Sequence, residues 1–254
     1  MAGERQAQID AVRENGYVVI PGFIPAEHLG SLNRVARDLL AARAQPIEFE
    51  ADLQYPGAPP SRSAAGGESV RRLLDAYQRH PDFARSATAP NLREWMEAYF
   101  GEATLMSRAH HNCLMTKHPL YGSLTGWHRD IRYWSFERED LVSVWMALGE
   151  ETQHNGALWL VPGSHRENFD ANRFDAAKFF RSDLSDNAKL IEKAVSPQLA
   201  PGDAIFFHSN TLHSAGKNQS DAVKFSLVYT YHGRSNTARP GTRSASKPEI
   251  ELSR

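Results

Sequence analysis

The 254-residue sequence contains one cysteine, Cys113. A single cysteine excludes an internal disulfide framework and suits a protein of the reducing cytoplasm. The sequence also lacks any apolar run approaching the ~20 residues that span a bilayer, and its N-terminus lacks the hydrophobic segment of a signal peptide. We therefore expect a cytoplasmic protein with no membrane partner.

An excess of either charge is also missing, because 29 Lys and Arg residues stand against 30 Asp and Glu residues. Without a basic excess, nothing in the composition favours nucleic acid as a partner. The Gly-x-Ser-x-Gly turn of Ser-His-Asp hydrolases is absent as well. What the chain has is a hydrophobic fraction of 41%, enough for one large core, and we predict a single domain over residues 1–254.

The first part of the chain, to about residue 102, has mostly helical patterns. Apolar spacing and boundary residues predict helices over 4–14, 25–44, 70–77 and 90–100, with one strand at 17–20. Residues 45–67 are interrupted by Pro and Gly and are predicted to form a long loop. This loop is either a mobile lid or a plain surface excursion.

From about residue 103 to 232 the patterns are those of strands. They are predicted at 108–117, 126–134, 141–148, 157–161, 194–199, 204–207, 212–215 and 224–231, with a charged, helix-prone insertion at 167–193. Helices followed by about eight strands favour a mainly β fold with flanking helices, namely a double-stranded β-helix (jelly roll, cupin-like) buttressed by N-terminal helices. The tail, 233–254, is predicted to be mobile or draped over the surface.

A His-x-Asp pair, His128 and Asp130, is the first candidate for chemistry. On a strand, residues two apart share a face, so one imidazole and one carboxylate can bind the same metal ion. The facial triad of non-heme Fe(II) oxygenases needs this pair and one distant histidine, for which His213 is the candidate. Further on, Lys224 and Ser226 share a strand face and could bind a carboxylate.

Four motifs in a fixed order support a closer comparison. They are Glu14 to Phe23, Trp127 to Asp130, Asn155 to His165, and Pro201-Gly202-Asp203 followed by His213 to Lys224. With these motifs the sequence resembles the phytanoyl-CoA dioxygenase family of Fe(II)/2-oxoglutarate-dependent oxygenases. One departure is Lys224, since the family usually has arginine there.

The resemblance implies an enzyme, a dioxygenase that hydroxylates a small organic substrate with O2 and releases succinate and CO2. It implies that His128, Asp130 and His213 are the catalytic Fe(II) ligands. Lys224 and Ser226 would bind the distal carboxylate of 2-oxoglutarate, with Arg132 and Lys117 the next candidates for this cation. From the strand 108–117, His111 and Met115 would line the cosubstrate pocket. Retention of Asp130 favours hydroxylation over halogenation.

Substrate binding is predicted from Arg132 and Trp134. If the strand continues past Asp130, both side chains face the interior, where an arginine needs an anionic partner. The substrate would then carry a carboxylate or phosphate-like group, held by Arg132 beside Trp134. In the other interpretation the strand ends at Asp130, and Arg132 lies on a rim loop paired with Glu137 or Glu139.

Two other functions fit parts of this pattern. A zinc hydrolase could use the same three ligands, but it would leave Lys224, Ser226 and the motif order unexplained. A non-catalytic jelly-roll protein that binds a metal or a small ligand is the alternative of a different class, since a fold does not dictate activity. The sequence indicates no oligomeric state.

Overall fold

Two antiparallel sheets stack on each other in the computed structural model, which describes residues 2–53 and 55–252. The strands are β1 (Tyr17–Ile20), β2 (Ile47–Phe49), β3 (Val70–Leu74), β4 (Thr104–Lys117), β5 (Thr125–His128), β6 (Leu141–Ala147), β7 (Leu158–Leu160), β8 (Ala204–His208), β9 (His213–Ala215), β10 (Lys224–Gly233) and β11 (Ile250–Glu251). The larger sheet has the order β1-β8-β6-β10-β4-β3-β2, with β11 also on β4, and the smaller sheet has the order β5-β9-β7. The predicted jelly roll is confirmed.

The α-helices of the described residues are α1 (Ala2–Asn15), α2 (Ala26–Ala41), α3 (Glu50–Leu53), α4 (Ala76–Arg79), α5 (Pro81–Ala87), α6 (Pro90–Phe100) and α7 (Ser185–Ile191). Helices α1, α2, α4, α5 and α6 cover the outer face of the larger sheet, whereas the end of α7 packs beside the smaller sheet. The predicted helices at 4–14, 25–44 and 90–100 correspond to α1, α2 and α6. α6 begins at Pro90, whose fixed φ suits a first helical turn, and ends at Gly101 in the left-handed conformation. No helix in the described ranges is long and apolar enough to cross a membrane.

Strand β6 shows how the core is divided. All seven of its residues are buried. Val144 and Met146 belong to the apolar cluster beneath the helices, whereas Trp145 and Ala147 belong to the cluster between the two sheets. Alternating side chains of one strand therefore serve two cores, and the inner core lies beside the candidate site.

The predicted helix at 70–77 is wrong, because Val70–Leu74 is strand β3. Its apolar residues fit either period over so short a run. β3 pairs with β2 on one side and with β4 on the other, and these long-range ladders decide its conformation.

The predicted metal strand, 126–134, is also wrong beyond its first residues. β5 ends at His128, and Asp130–Tyr133 form a 3-10 helix. The amide of Ile131 donates to the carbonyl of Ser209, 3.1 Å away, which takes the chain off the ladder after His128.

Three further segments differ from the prediction. The loop 45–67 contains β2 and α3. Residues 194–199 form isolated bridges, Val195 with Leu160 and Leu199 with Glu151, in place of a strand. In the tail, β11 pairs with β4 and Leu252 is buried, so this segment is part of the fold.

Candidate active site

His128, Asp130 and His213 converge at one end of the ladder between β5 and β9. Their donor atoms all lie within 4.8 Å of one another, and all three residues are buried. β9 brings His213 directly opposite His128 in the strand register. Asp130 reaches the same point from the first residue of the 3-10 helix, with its Oδ1 3.8 Å from His128 Nε2 and 3.5 Å from His213 Nε2.

The two histidines are oriented in the same way. His128 Nδ1 lies 2.8 Å from the carbonyl of Gly126, and His213 Nδ1 lies 3.0 Å from the carbonyl of Thr211. A carbonyl only accepts, so each Nδ1 donates and each Nε2 is left with its lone pair toward the shared point. Burial lowers the pKa of both imidazoles, which keeps them neutral as metal binding requires.

Asp130 is held in its ionised form. Burial opposes ionisation, but the charge and the hydrogen bond of the His111 imidazole, whose own pKa is raised to about 9, outweigh it and lower the pKa of the carboxyl group. The Ser143 hydroxyl donates to Oδ2 over 2.9 Å, and His111 Nε2 lies 3.0 Å from Oδ1. Two neutral imidazoles and one carboxylate aimed at one point fit Fe(II) and leave coordination positions open.

A cavity of about 290 Å³ opens beside these three residues. Both predicted substrate residues, Arg132 and Trp134, line it together with His128 and Asp130. The predicted cosubstrate residue His111 lies here too, in edge contact with Trp134 at 5.6 Å between ring centroids. The 3-10 turn, not a continuing strand, places Arg132 and Trp134 there.

The pairing of Arg132 with Glu137 or Glu139, which the rim-loop interpretation predicted, is not found in the described ranges. The guanidinium stacks on Phe179, 4.0 Å from the ring centroid, and one of its nitrogens is 3.4 Å from the Tyr55 hydroxyl. Arg243 lines the same cavity and likewise has no carboxylate partner among the described residues. Tyr55, Phe179 and Arg243 were missed from sequence, because each comes from a distant loop whose position depends on the finished fold.

Lys224, Ser226 and Met115, the other three residues predicted to bind the cosubstrate, line a second, smaller cavity between the sheets. Lys224 Nζ lies 2.6 Å from Glu151 Oε2, and the Ser226 hydroxyl donates to Glu151 Oε1 over 2.6 Å. Glu151 is fully buried. This internal carboxylate was also missed, since Glu151 lies in an unremarkable Gly-Glu-Glu turn.

Comparison with known proteins places this site in context. Ectoine dioxygenase of Sphingopyxis alaskensis is 26% identical over 245 residues, which cover 90% of this chain and 76% of that protein. Human peroxisomal phytanoyl-CoA dioxygenase is 22% identical over 222 residues, covering 83% of this chain and 63% of that protein.

Solved structures show the same fold. EctD from S. alaskensis with 2-oxoglutarate and 5-hydroxyectoine superposes with a TM-score of 0.77 at 22% identity, over 97% of this chain and 85% of that one. The alpha-ketoglutarate-dependent epimerase SnoN from nogalamycin biosynthesis gives a TM-score of 0.74 at 22% identity, over 94% of this chain and 87% of that one.

A jelly roll with two histidines and one carboxylate at its open side defines the class of Fe(II)- and 2-oxoglutarate-dependent dioxygenases. Within this class the chain belongs to the phytanoyl-CoA dioxygenase (PhyH) family, whose profile matches residues 12–226. It is therefore an oxidoreductase that uses iron, 2-oxoglutarate and O2 to oxidise a small molecule.

Proposed function

We propose that His128, Asp130 and His213 bind the Fe(II) ion, and that the enzyme hydroxylates a small substrate carrying a carboxylate or phosphate-like group. The observation that carries this proposal is a cavity in which His128 and Asp130, two members of the three-residue cluster, lie with two arginines, Arg132 and Arg243, that lack a carboxylate partner among the described residues. Bound iron would supply the oxidative chemistry with O2, and the chain supplies binding and orientation.

The orientation of the three metal-ligand side chains depends on hydrogen bonds within this chain. The carbonyls of Gly126 and Thr211 fix the imidazoles, and Ser143 fixes one oxygen of Asp130. Such partners outside the ligand set hold a ligand at the angle that the metal needs. The cavity beside Lys224, Ser226 and Met115 is proposed to take the distal carboxylate of 2-oxoglutarate.

The substrate part of the proposal rests on unpaired positive charge. An arginine next to a water-poor site is costly unless an anion compensates it. Among the described residues Arg132 contacts aromatic rings, two carbonyls and the Tyr55 hydroxyl but no carboxylate, so its charge is available to a ligand. Trp134 stacks on His110 with 4.9 Å between ring centroids and gives the cavity a flat wall next to this charge.

Succinate formation tests the proposal. Purified protein would receive Fe(II), 2-oxoglutarate and O2, first alone and then with small acids that include ectoine and acyl-CoA thioesters. We expect iron-dependent succinate in all cases and stimulation by an acidic compound. No succinate under any condition would favour the non-catalytic alternative, and stimulation by neutral compounds alone would contradict the anionic substrate.

Arg132→Leu separates substrate binding from cosubstrate turnover. Loss of one charge-assisted hydrogen bond, worth about 1.5–3 kcal/mol, should weaken the binding of an acidic substrate by roughly 10- to 150-fold. Succinate formed without substrate should persist. Arg166→Leu, at an exposed position outside the cavity, is the matched control. Unchanged turnover of an acidic substrate by Arg132→Leu would eliminate this anchor.

We also propose a cytoplasmic location. The support is the single cysteine, Cys113, which is a free and buried thiol.

A further inference from the structure

The C-terminal segment, residues 234–252, lies outside residues 12–226, the part of the chain that the family profile matches. It is folded against the turn that carries the substrate-side residues. The amide of Arg239 donates to the carbonyl of Ser135 over 2.8 Å, and Leu252 near the end of the segment is buried. The family profile therefore does not describe what this segment contributes to the larger cavity.

Ser244 joins the segment to the wall of the larger cavity. Its side chain is buried, and its Oγ accepts from the amide of Ser135 over 2.8 Å and lies 2.8 Å from Nε2 of His110. His110 stacks on Trp134, and both rings line the cavity. Arg243, the residue before Ser244 in the same 3-10 turn, is thereby held at the cavity, which it also lines.

Arg243 and Arg132 are the two positive charges of the larger cavity that have no ion pair in the described ranges. The other charged groups of its lining are paired or committed. Arg72 Nε lies 3.3 Å from Glu48 Oε1, and Asp130 belongs to the candidate metal centre. A molecule in this cavity therefore meets two guanidinium groups without a carboxylate partner among the described residues.

The charge of Arg243 acts directly on the cavity wall. Burial lowers the pKa of His110 to about 3, and the positive charge of Arg243 lowers it further. His110 is therefore neutral, and it contributes a flat surface and no charge of its own. The two arginines account for the excess positive charge on this side of the cavity.

The cations proposed for the cosubstrate lie in a different place. Lys117, Lys224 and Arg71 line the smaller cavity, and none of the three lines the larger one. Arg132 and Arg243 are thus left for the molecule that occupies the larger cavity. Two like charges at one cavity repel each other, and a ligand with two negative charges removes that repulsion.

We propose that the substrate of this enzyme carries two negative charges, either on one phosphate-like group or on two carboxylates, and that Arg243 binds the second charge beside Arg132. Ser244 is the positioning residue for Arg243. This inference rests on the proposed function, because it assumes that the substrate occupies the larger cavity, and it narrows the substrate from an acid to a dianion. The fork of a guanidinium suits both phosphate and carboxylate oxygens.

Two pairs of small ligands that differ by one charge test the proposal without turnover. Methyl phosphate is a dianion at pH 8, since the second pKa of a phosphate monoester is about 6, whereas methyl sulfate has the same shape and a single charge. Malonate and monomethyl malonate form the corresponding carboxylate pair. Calorimetry on protein loaded with Mn(II) and saturating 2-oxoglutarate gives a Kd for each compound, and the ratio within a pair reports recognition of the second charge.

We expect the wild-type protein to bind the dianion of at least one pair roughly 10- to 150-fold more tightly, the value of one further hydrogen bond between charged groups. A larger ratio for the phosphate pair would indicate one phosphate-like group, and a larger ratio for the malonate pair would indicate two carboxylates. Arg243→Met should reduce the ratio to below about threefold. Arg243→Lys, which keeps the charge without the fork, should retain part of it.

Ser244→Ala tests how Arg243 is positioned. It removes the bond to His110 and the acceptor of the Ser135 amide while both arginines remain, so the ratio should fall between those of wild type and Arg243→Met. Arg166→Met, at an exposed position outside the cavity, controls for the loss of one positive charge. Thermal unfolding shows that each variant is folded, and a folded variant with a purely structural defect would keep the wild-type ratio.

The outcomes separate this inference from the proposed function. If the wild-type protein binds both members of each pair equally, or if Arg243→Met keeps the wild-type ratio, the second anchor is wrong and a singly charged substrate at Arg132 remains. An equal loss of the ratio in Arg166→Met would assign it to overall charge and would also overturn the inference. If none of the four compounds binds, the inference fails, and iron-dependent succinate formation, measured separately, decides whether the proposed reaction fails with it.

Discussion

At the scale of single residues, the candidate metal centre is preorganised by the chain itself. His128 and His213 each bind the carbonyl two residues earlier, at Gly126 and Thr211. The Nε2 atoms therefore face Asp130. A site that needs no reorientation of its ligands loses less free energy when the metal binds.

His213→Ala is predicted to abolish stable iron binding. Two ligands cannot hold the ion as three do, so the loss should exceed the roughly 10- to 100-fold that removal of a partner outside the ligand set costs. Metal content after anaerobic dialysis against Fe(II) measures this directly. His154→Ala, at an exposed histidine, is the control. A His213→Ala protein that retains iron and decarboxylates 2-oxoglutarate normally would show that the ligand assignment is wrong.

Cosubstrate binding is predicted to take up a proton above neutral pH. With a pKa of about 7, Lys117 is charged in the free protein at pH 6 and mostly neutral at pH 8.5. A carboxylate of 2-oxoglutarate that enters the proposed cosubstrate cavity, which Lys117 lines, would raise this pKa. Binding should then weaken as pH rises above about 7 and become linked to protonation of Lys117. The other charged groups around it are Lys224, Arg71, Glu50 and Glu151.

Calorimetric titrations of the Mn(II)-loaded protein with 2-oxoglutarate, in two buffers of different ionisation enthalpy, measure this proton uptake. For the wild-type protein we expect uptake of close to one proton per bound 2-oxoglutarate at pH 8.5 and none at pH 6. For Lys117→Met we expect no proton uptake at either pH. Equal uptake by wild type and Lys117→Met at pH 8.5 would assign the proton to another group.

At the scale of elements, the turn that precedes β7 shapes the small cavity proposed to bind the cosubstrate. Thr152 and Asn155 close a reciprocal capping box, and Gly156 follows in the left-handed conformation. Gly156→Ala should destabilise the fold by about 1–3 kcal/mol, since a Cβ there meets both an unfavourable φ and the stem of Lys117. It should also weaken 2-oxoglutarate binding, because Lys117 must move.

The control for this change is Gly149→Ala. A Cβ at Gly149 meets no atom within 4 Å and its φ is not in the left-handed range, so little change is expected. Thermal unfolding and calorimetry on both variants are the measurements. Equal effects of the two substitutions would show that the gap at Gly156 has no special role.

Elements with a strong local pattern were predictable from sequence, and those fixed by distant partners were not. α2 and α6 have apolar stripes and clear boundaries, and β10 has ten buried residues in succession. β3 was read as a helix because its short apolar run fits both periods, and only its pairing with β4 settles the matter.

The three candidate ligands converge as predicted, but for a partly different reason. Strand alternation was expected to align His128 with Asp130, but the strand ends at His128 and the 3-10 turn brings Asp130 to it. The partner of Lys224 lay beyond prediction. Glu151 is separated from Lys224 by 73 residues, and no local pattern encodes that contact.

At the scale of the whole molecule, the sheets position the candidate metal ligands, and the peripheral segments complete the larger cavity. The candidate metal centre and the small cavity beside it are built mainly by strands β4, β5, β9 and β10, with Asp130 from the 3-10 helix after β5. The larger cavity is completed by Tyr55, by Phe179 next to it, and by Arg243 from the C-terminal segment. Substrate specificity can therefore vary through these three segments without disturbing the ladder that carries the metal ligands.

The segment 55–67 is predicted to close over the larger cavity when substrate binds. Tyr55 is its contact with the site, through the edge of the Phe179 ring at 5.3 Å and through Arg132. Arg62 within this segment is half exposed and pairs with Asp52 at 2.6 Å. When the segment opens, the peptide bond after Arg62 becomes a cleavage site for trypsin. An anion that binds Arg132 should draw Tyr55 inward and exclude water from the reaction.

Limited trypsin digestion measures the closure. Cleavage after Arg62 should slow by about tenfold, or ~1.4 kcal/mol in the opening equilibrium, when Mn(II), 2-oxoglutarate and a stimulating acid are all present. Cleavage after Lys189, which is exposed on α7, should not change and serves as the internal control. Arg132→Leu should remove the protection, because the link from ligand to Tyr55 passes through that guanidinium. Equal cleavage after Arg62 with and without ligands would leave 55–67 a surface segment with no part in closure.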